Sequence, residues 1–198
     1  MVLNRLRGRL LPYTEGLGRI FARTGMSANF WTSMGLVTAF VAAIMYGSVT
    51  EYAYVLGGIM LLISGFFDLI DGQVARVTGK VSRSGAFLDS MFDKIAEVAV
   101  FAGLASGGLV SPDLALLAIG LSLLVSYARA KADAMLINIR GYGIGERAER
   151  LLVIAVIGMI PGMMTLAVFI VIVISAITVA QRMLYIYRHL KQQDSHDA

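Results

Sequence analysis

Two pairs of aspartates lie within apolar stretches of the sequence: Asp68 with Asp71, and Asp89 with Asp93. An ionised aspartate near the centre of a membrane helix costs about 2.5 to 3.5 kcal/mol, so four of them require neutralising cations or access to water. Neither Cys nor His lies nearby. Ligand sets made of oxygen alone suit hard cations such as Mg²⁺ or Mn²⁺, so the pattern predicts a divalent metal site in a membrane enzyme.

The spacing of the aspartates places them on two helices that can face each other. At about 100° per residue, the first two differ by about 60° around one helix, and the last two are stacked one turn apart on the next. Gly72, Ala75 and Gly85 flank these positions with little or no side chain. They leave room for a bulky ligand beside the metal.

Composition indicates an integral membrane protein. The 198 residues are 58% hydrophobic, with a mean hydropathy of +0.76, and a transmembrane helix needs about 20 apolar residues. The sequence predicts an all-α fold with six transmembrane helices. The predicted spans are about 30–48, 53–75, 85–107, 112–135, 148–161 and 163–187.

The distribution of basic residues predicts the orientation. All 17 Lys and Arg residues fall in the N-terminal segment, in alternate connections, after the last span, or in the adjoining helix ends. By the positive-inside rule, both termini and the aspartate end of the bundle lie on the cytoplasmic side of the cell membrane. The net charge of +4 follows from this bias and does not indicate nucleic-acid binding.

Residues 1–26 alternate leucines with arginines at helical spacing and predict an amphipathic juxtamembrane helix on an anionic membrane surface. The alternative is that the arginines serve only as a topology signal. The apolar positions are Leu3, Leu6, Leu10, Leu11, Leu17, Ile20 and Phe21, and the basic ones are Arg5, Arg7, Arg9, Arg19 and Arg23. We divide the chain into this segment, a membrane catalytic domain over residues 27–190, and a polar tail over residues 191–198.

The aspartates belong to a longer motif, D-x-x-D-G-x-x-A-R-x8-G-x-x-x-D-x-x-x-D, in which all eight fixed positions are met. These are Asp68, Asp71, Gly72, Ala75, Arg76, Gly85, Asp89 and Asp93. The motif resembles the signature of the CDP-alcohol phosphotransferases, and the resemblance extends over nearly the whole chain. It implies six membrane helices, often after a juxtamembrane helix, and a homodimer.

The resemblance also implies a reaction. The four aspartates would hold one or two divalent ions, with two favoured, against the diphosphate of CDP-diacylglycerol or CDP-archaeol. Asp93 would also be the catalytic base, taking the proton of an acceptor hydroxyl that attacks the lipid-side phosphorus and expels CMP. The residues implied to bind the CDP-lipid are Asn29, Thr32, Asp68, Gly72, Ala75, Arg76 and Gly85.

A second group of mostly basic residues is expected to bind the acceptor. Its members are Ser126, Arg129, Lys131, Arg147, Arg150 and Arg182. Several cations near a phosphate give charge-assisted hydrogen bonds, so the group favours an anionic acceptor. The resemblance favours inositol phosphate, as in the branch that makes phosphatidylinositol phosphate or its archaetidyl counterpart. Glycerol 3-phosphate, the acceptor of phosphatidylglycerophosphate synthases, is the alternative.

Other interpretations of the charged residues are weaker. A structural ion-pair network would need more counter-charge than Arg76 and Lys94 provide. A cation transporter would place acids towards the middle of the membrane on broken helices, whereas these lie beside a basic loop. The positive-inside rule alone explains Lys80, Arg83, Arg140, Arg188 and Lys191.

Overall fold

The computed structural model describes residues 14–48, 50–139 and 141–197, and within these ranges the chain is all helical, with no strand. The helices are α1 (14–22), α2 (Ala28–Gly47), α3 (Ala53–Val77), α4 (Arg83–Ser106), α5 (Pro112–Ala134), α6 (Arg147–Gly158) and α7 (Met164–Asp197). The predicted all-α class is confirmed. The leucines and arginines at positions 3–11, on which much of the predicted amphipathic helix depends, and Arg140 lie outside the described residues.

Among the described helices, α2, α3, α5 and α7 are long and apolar enough to cross a membrane. They coincide with four of the six predicted spans. The other two predicted spans correspond to α4 and α6. α4 carries Asp89, Asp93, Lys94 and Glu97 within its apolar sequence, and α6 has 12 residues, which at 1.5 Å per residue cover about 18 Å of a core about 30 Å thick.

Side-chain caps set the helix starts next to the motif. The Ser27 hydroxyl accepts a hydrogen bond from the Phe30 amide at 3.2 Å and begins α2. The Ser82 hydroxyl does the same for the Gly85 amide at 3.0 Å and begins α4. Such caps satisfy amide groups that have no partner within the helix. They fix where the motif residues of α4 start relative to the preceding loop.

Small residues bring α2 and α4 close together at the end of the bundle away from the aspartates. A Cβ atom on Gly103 would lie 2.9 Å from the Ala43 Cα, and one on Gly107 would meet the Tyr46 carbonyl. Tyr46 is fully buried in a core that includes Leu104. Because only glycine permits this approach, α2 packs along α4, and its N-terminal end lies beside the motif.

An aromatic cluster packs α1 against α2 and α3. The Phe21 ring meets the Trp31 ring edge to face at 5.0 Å, and Trp31 stacks on Phe67 with centroids 5.7 Å apart. Gly18 lies against Gln73, where a Cβ atom would approach the Gln73 Cβ to 2.8 Å. The described part of α1 therefore contacts α3 within the motif itself.

Candidate active site

Three of the four motif aspartates form a compact cluster between α3 and α4. One carboxylate oxygen each of Asp68, Asp71 and Asp89 lies within 4.8 Å of the others. Asp71 is 6% exposed, and its Oδ2 atom has no hydrogen-bond partner among the described residues. Buried carboxylates require a partner, and three converging oxygens are the donor set that a hard divalent cation prefers. These residues therefore fit a metal ion.

Asp93 is not part of that cluster, and it faces an arginine. The Arg147 Nη1 group forms an ion pair with Asp93 and donates a hydrogen bond of 2.9 Å to Asp68 Oδ1. Arg147 is the first residue of α6, and its side chain is mostly buried. One guanidinium thus counters a carboxylate from each of the two motif helices.

A first cavity beside the aspartates is formed by the ends of α2, α3 and α4. Its volume is about 190 Å³. It brings together most residues predicted to bind the CDP-lipid: Asn29, Thr32, Gly72, Ala75, Arg76 and Gly85 line it, together with Asp71 and Asp89. Asp68, predicted with them, lines the second cavity instead. A Cβ atom on Gly72 would meet nothing within 4 Å, so this glycine leaves space in the cavity.

The second cavity is larger, about 540 Å³, and lies between α4, α5, α6 and α7. Asp68, Asp89 and Asp93 line it, and so do five residues predicted to bind the acceptor: Ser126, Arg129, Arg147, Arg150 and Arg182. Asp89 lines both cavities. The aspartates therefore lie where a small cavity rich in small residues meets a larger one rich in arginine.

Lys131 is not brought into this cavity. It lies two residues after Arg129, about 200° further around α5, and lines an apolar groove of about 440 Å³ between α5 and α7. Tyr127, Met183 and Ile186 also line that groove. Arg129 is half exposed, and its Nε atom lies 4.0 Å from an Asp133 carboxylate oxygen.

Arg150 and Arg182 line the cavity but use most of their donors within the protein. The Arg150 Nε and Nη2 atoms donate to Glu97 Oε1 at 3.1 and 2.8 Å. Arg182 donates from Nε to the Tyr142 carbonyl at 2.9 Å and from Nη1 to the Val125 carbonyl at 2.6 Å. Both guanidinium groups are anchored, whereas Arg129 has a freer side chain.

Among the acids at or near the second cavity, Glu97 and Asp133 were not predicted from the sequence. Glu97 is fully buried against Arg150, and Asp133 lines the second cavity. Helical spacing gave a signal for each, because Glu97 continues the row of Asp89 and Asp93 by one more turn and Asp133 follows Arg129 by four residues.

A family comparison identifies the class of protein. The sequence model of the CDP-alcohol phosphatidyltransferases matches residues 26–181. The chain belongs to this family, and it is a multi-pass membrane enzyme. The matched residues include every lining residue of both cavities except Arg182.

Two relatives within the family are inositol phosphate synthases. The chain is 33% identical over 181 residues to the archaetidylinositol phosphate synthase of Pyrococcus horikoshii, an alignment that covers 91% of this chain and 94% of the relative. It is 33% identical over 195 residues to the phosphatidylinositol phosphate synthase of Streptomyces avermitilis, covering 89% and 78%.

Solved structures agree with the sequence relatives. The fold is similar to the crystal structure of Mycobacterium tuberculosis phosphatidylinositol phosphate synthase with CDP-DAG bound, with a TM-score of 0.73 and 25% identity over 88% of this chain and 93% of that one. The structure of the same enzyme in complex with manganese and citrate gives a TM-score of 0.75 at 25% identity, covering 88% of each chain.

Proposed function

We propose that this enzyme transfers the phosphatidyl-type group of a CDP-linked lipid to inositol phosphate and releases CMP, a step of phospholipid biosynthesis. The observation that carries the proposal is the position of the aspartates at the junction of the two cavities. One cavity offers space beside Gly72 and Gly85, and the other offers arginines. The relatives named as inositol phosphate synthases support the acceptor.

The first cavity suits the nucleotide end of the CDP-lipid. Its walls carry glycine and alanine at the motif positions, and Arg76 supplies positive charge for phosphate. Lys80, which the sequence attributed to membrane topology alone, also lines this cavity and adds to that charge. The Asn29 amide lies close to Gly85, because a Cβ atom on Gly85 would be 3.1 Å from Asn29 Oδ1. A base or sugar can therefore contact both α2 and α4 at this point.

The aspartate cluster suits Mg²⁺ or Mn²⁺. Asp68, Asp71 and Asp89 would hold the first ion, and we propose two ions because four carboxylates balance the charge of two divalent cations. An ion held there would neutralise charge that develops on the phosphate of the departing CMP. The structure of the Mycobacterium tuberculosis relative in complex with manganese supports the type of ion.

We propose Asp93 as the general base. It lines the second cavity, which we call the acceptor cavity, together with Arg147 and Arg150, and the Arg147 guanidinium holds its carboxylate in an ion pair. In the proposed reaction Asp93 accepts the proton of an acceptor hydroxyl. The hydroxyl oxygen then forms a bond to the lipid-side phosphorus, and the bond from that phosphorus to CMP breaks.

The acceptor phosphate would contact Ser126 and Arg129, with Arg182 behind them. These residues line the second cavity together with Asp93. A guanidinium gives planar, paired donors that match phosphate oxygens. Glycerol 3-phosphate also carries a phosphate group, so it remains the alternative acceptor. A cation transporter is not favoured, because the chain belongs to a transferase family and the acids lie on unbroken helices.

The finer architecture is also part of the proposal. We propose six membrane segments, in which α4 crosses the membrane and the short α6 occupies the remaining place within the bundle, and an amphipathic N-terminal segment over residues 1–26. Residues 27–190 would form the catalytic domain, 191–198 the tail, and two copies a homodimer. The distribution of Lys and Arg supports cytoplasmic termini and a cytoplasmic active site. Since the chain has no cysteine, single cysteines at Glu51 and Asp194 can test the orientation with an impermeant maleimide.

The test of function is a direct assay with purified protein in detergent or liposomes. CDP-diacylglycerol or CDP-archaeol is offered with inositol phosphate, glycerol 3-phosphate, inositol or serine, while CMP release is measured and the lipid product is identified by mass spectrometry. We expect CMP release with inositol phosphate and a phosphorylated inositol lipid. Faster turnover of glycerol 3-phosphate, or equal use of free inositol, would overturn the proposed acceptor.

A further inference from the structure

The most buried ion pair among the described residues joins Arg150, which lines the acceptor cavity, to Glu97, which does not line it. Glu97 of α4 and Arg150 of α6 are 0% and 1% exposed. Two guanidinium nitrogens of Arg150 donate to one carboxylate oxygen, Glu97 Oε1. Burial of two charges is costly unless their geometry is good, and replacing such a pair by apolar residues is often neutral for stability, so stability alone does not account for it.

The third donor of Arg150 shows what the pair holds. Its Nη1 group donates to the carbonyl of Gly145 at 2.8 Å. The Gly145 amide donates to the Thr178 hydroxyl of α7 at 3.0 Å. Gly145 is thus held from both sides, by α4 through the Glu97–Arg150 pair and by α7 through Thr178.

Gly145 accepts this arrangement because it has no side chain. A Cβ atom there would meet Ile174 and lie 3.0 Å from the Thr178 hydroxyl oxygen. Glu146, the next residue, is the N-cap of α6 in a capping box with Glu149. Holding Gly145 therefore fixes the position at which α6 begins.

Arg147 begins α6 two residues after Gly145 and contacts Asp68 and Asp93. We propose that Glu97, Arg150 and Thr178 form a positioning clamp, which holds Gly145 so that Arg147 and Asp93 are correctly placed at the acceptor cavity. The inference rests on the proposed function and assigns Arg150 to positioning, not to phosphate binding. It also gives Glu97 and Thr178 a part in the reaction.

The two cavities make the proposal specific. No residue of α5, α6 or α7 lines the first cavity, whereas Arg147, Ala148 and Arg150 of α6 line the second. A displaced α6 start should therefore impair use of the acceptor and leave CDP-lipid binding intact. General loss of folding would impair both.

The first test variant is Thr178→Val, which keeps the side-chain shape and removes the acceptor for the Gly145 amide. Ser175→Ala is the matched control on α7, since Ser175 is fully buried and its hydroxyl has no hydrogen-bond partner among the described residues. We expect Thr178→Val to lower kcat/KM for inositol phosphate by about 10-fold, given the sensitivity of rates to small misplacements. The CDP-lipid KM should stay unchanged in both variants.

The second variant, Glu97→Leu with Arg150→Met, replaces the ion pair by apolar side chains. Such a double replacement often leaves the free energy of unfolding unchanged. We expect thermal unfolding close to wild type, with kcat/KM for inositol phosphate reduced on the order of 10²-fold. Because the chain has no cysteine, spin labels on cysteines at exposed Met91 of α4 and Leu152 of α6 can report the interhelical distance. We expect its distribution to broaden in this variant.

Two results would overturn the clamp: wild-type kcat/KM for inositol phosphate in both variants, or an equal loss of CDP-lipid binding in a folded variant. Failure of the proposed function looks different, because the wild-type protein itself would then not release CMP with inositol phosphate. If it releases CMP with glycerol 3-phosphate instead, the proposed acceptor is wrong, and the same variants assayed on that substrate decide the clamp.

Discussion

Arg147 of α6 donates a hydrogen bond of 2.9 Å to Asp68 of α3, a residue 79 positions earlier in the chain. The same nitrogen pairs with Asp93 of α4. A single cation therefore connects the first motif aspartate with the proposed base. It comes from α6, a helix that lines the acceptor cavity. Three separate segments of the chain must be packed before this part of the site exists.

Replacing Arg147 with glutamine removes that cation. Hydrogen bonds to charged groups contribute about 1.5 to 3 kcal/mol, so kcat/KM for inositol phosphate should fall by about 10- to 100-fold. Steady-state kinetics with each substrate varied in turn will measure it. Arg188→Gln, an exposed position on α7 outside both cavities, is the control and should behave as wild type. Equal loss in the two variants would contradict a specific role for Arg147.

Metal dependence follows from the cluster of Asp68, Asp71 and Asp89. Activity should require Mg²⁺ or Mn²⁺ and disappear in excess chelator, then return when the ion is restored. Asp71→Asn should weaken metal binding and CDP-lipid binding together, because the metal is proposed to hold the diphosphate. Calorimetric titration of metal and of CDP-lipid will show whether both are affected. Full turnover in excess chelator is the result that excludes a catalytic metal.

The role of Asp93 is tested by Asp93→Asn, which keeps the shape and removes the base. We expect kcat to fall by roughly 10²- to 10⁴-fold, the usual contribution of general acid-base catalysis. CDP-lipid binding should suffer less than in Asp68→Asn, and the comparison of the two variants separates base catalysis from metal binding. Near-normal kcat would remove Asp93 from the chemistry.

The space beside Gly72 gives a prediction for the nucleotide side. Gly72→Leu places a side chain in the first cavity, where a Cβ atom meets nothing within 4 Å. The CDP-lipid KM should rise by 10-fold or more, because a loss of about 1.4 kcal/mol of binding free energy weakens affinity tenfold. Thermal stability should change little. Gly65→Leu on the same helix is the matched control, since Gly65 is equally open but lies outside the cavity. An unchanged KM in Gly72→Leu would place the nucleotide elsewhere.

The sequence predicted the parts of the site that depend on local spacing. Asp71, Gly72 and Ala75 share one helix end, and helical periodicity alone brings them to one cavity. The engagement of Arg150 with Glu97 was not predictable in this way, because it depends on how α4 packs against α6, 53 residues apart. Positive charge near a helix end indicates an anion site and a topology signal equally well, and only packing distinguishes a free arginine from an anchored one.

The last prediction compares Arg129 with Lys131, which the sequence places in the same acceptor group. The structure separates them: Arg129 lines the second cavity, and Lys131 lines the apolar groove between α5 and α7. Arg129→Gln should therefore raise the KM for inositol phosphate by about 10- to 100-fold, the value of one charged hydrogen bond, and leave the CDP-lipid KM unchanged. Lys131→Gln removes the same charge from the same turn of α5, so general electrostatic attraction of the anion would change equally in both. An equal rise in KM for the two variants would show that the basic residues act through their summed field and not through contact with the phosphate.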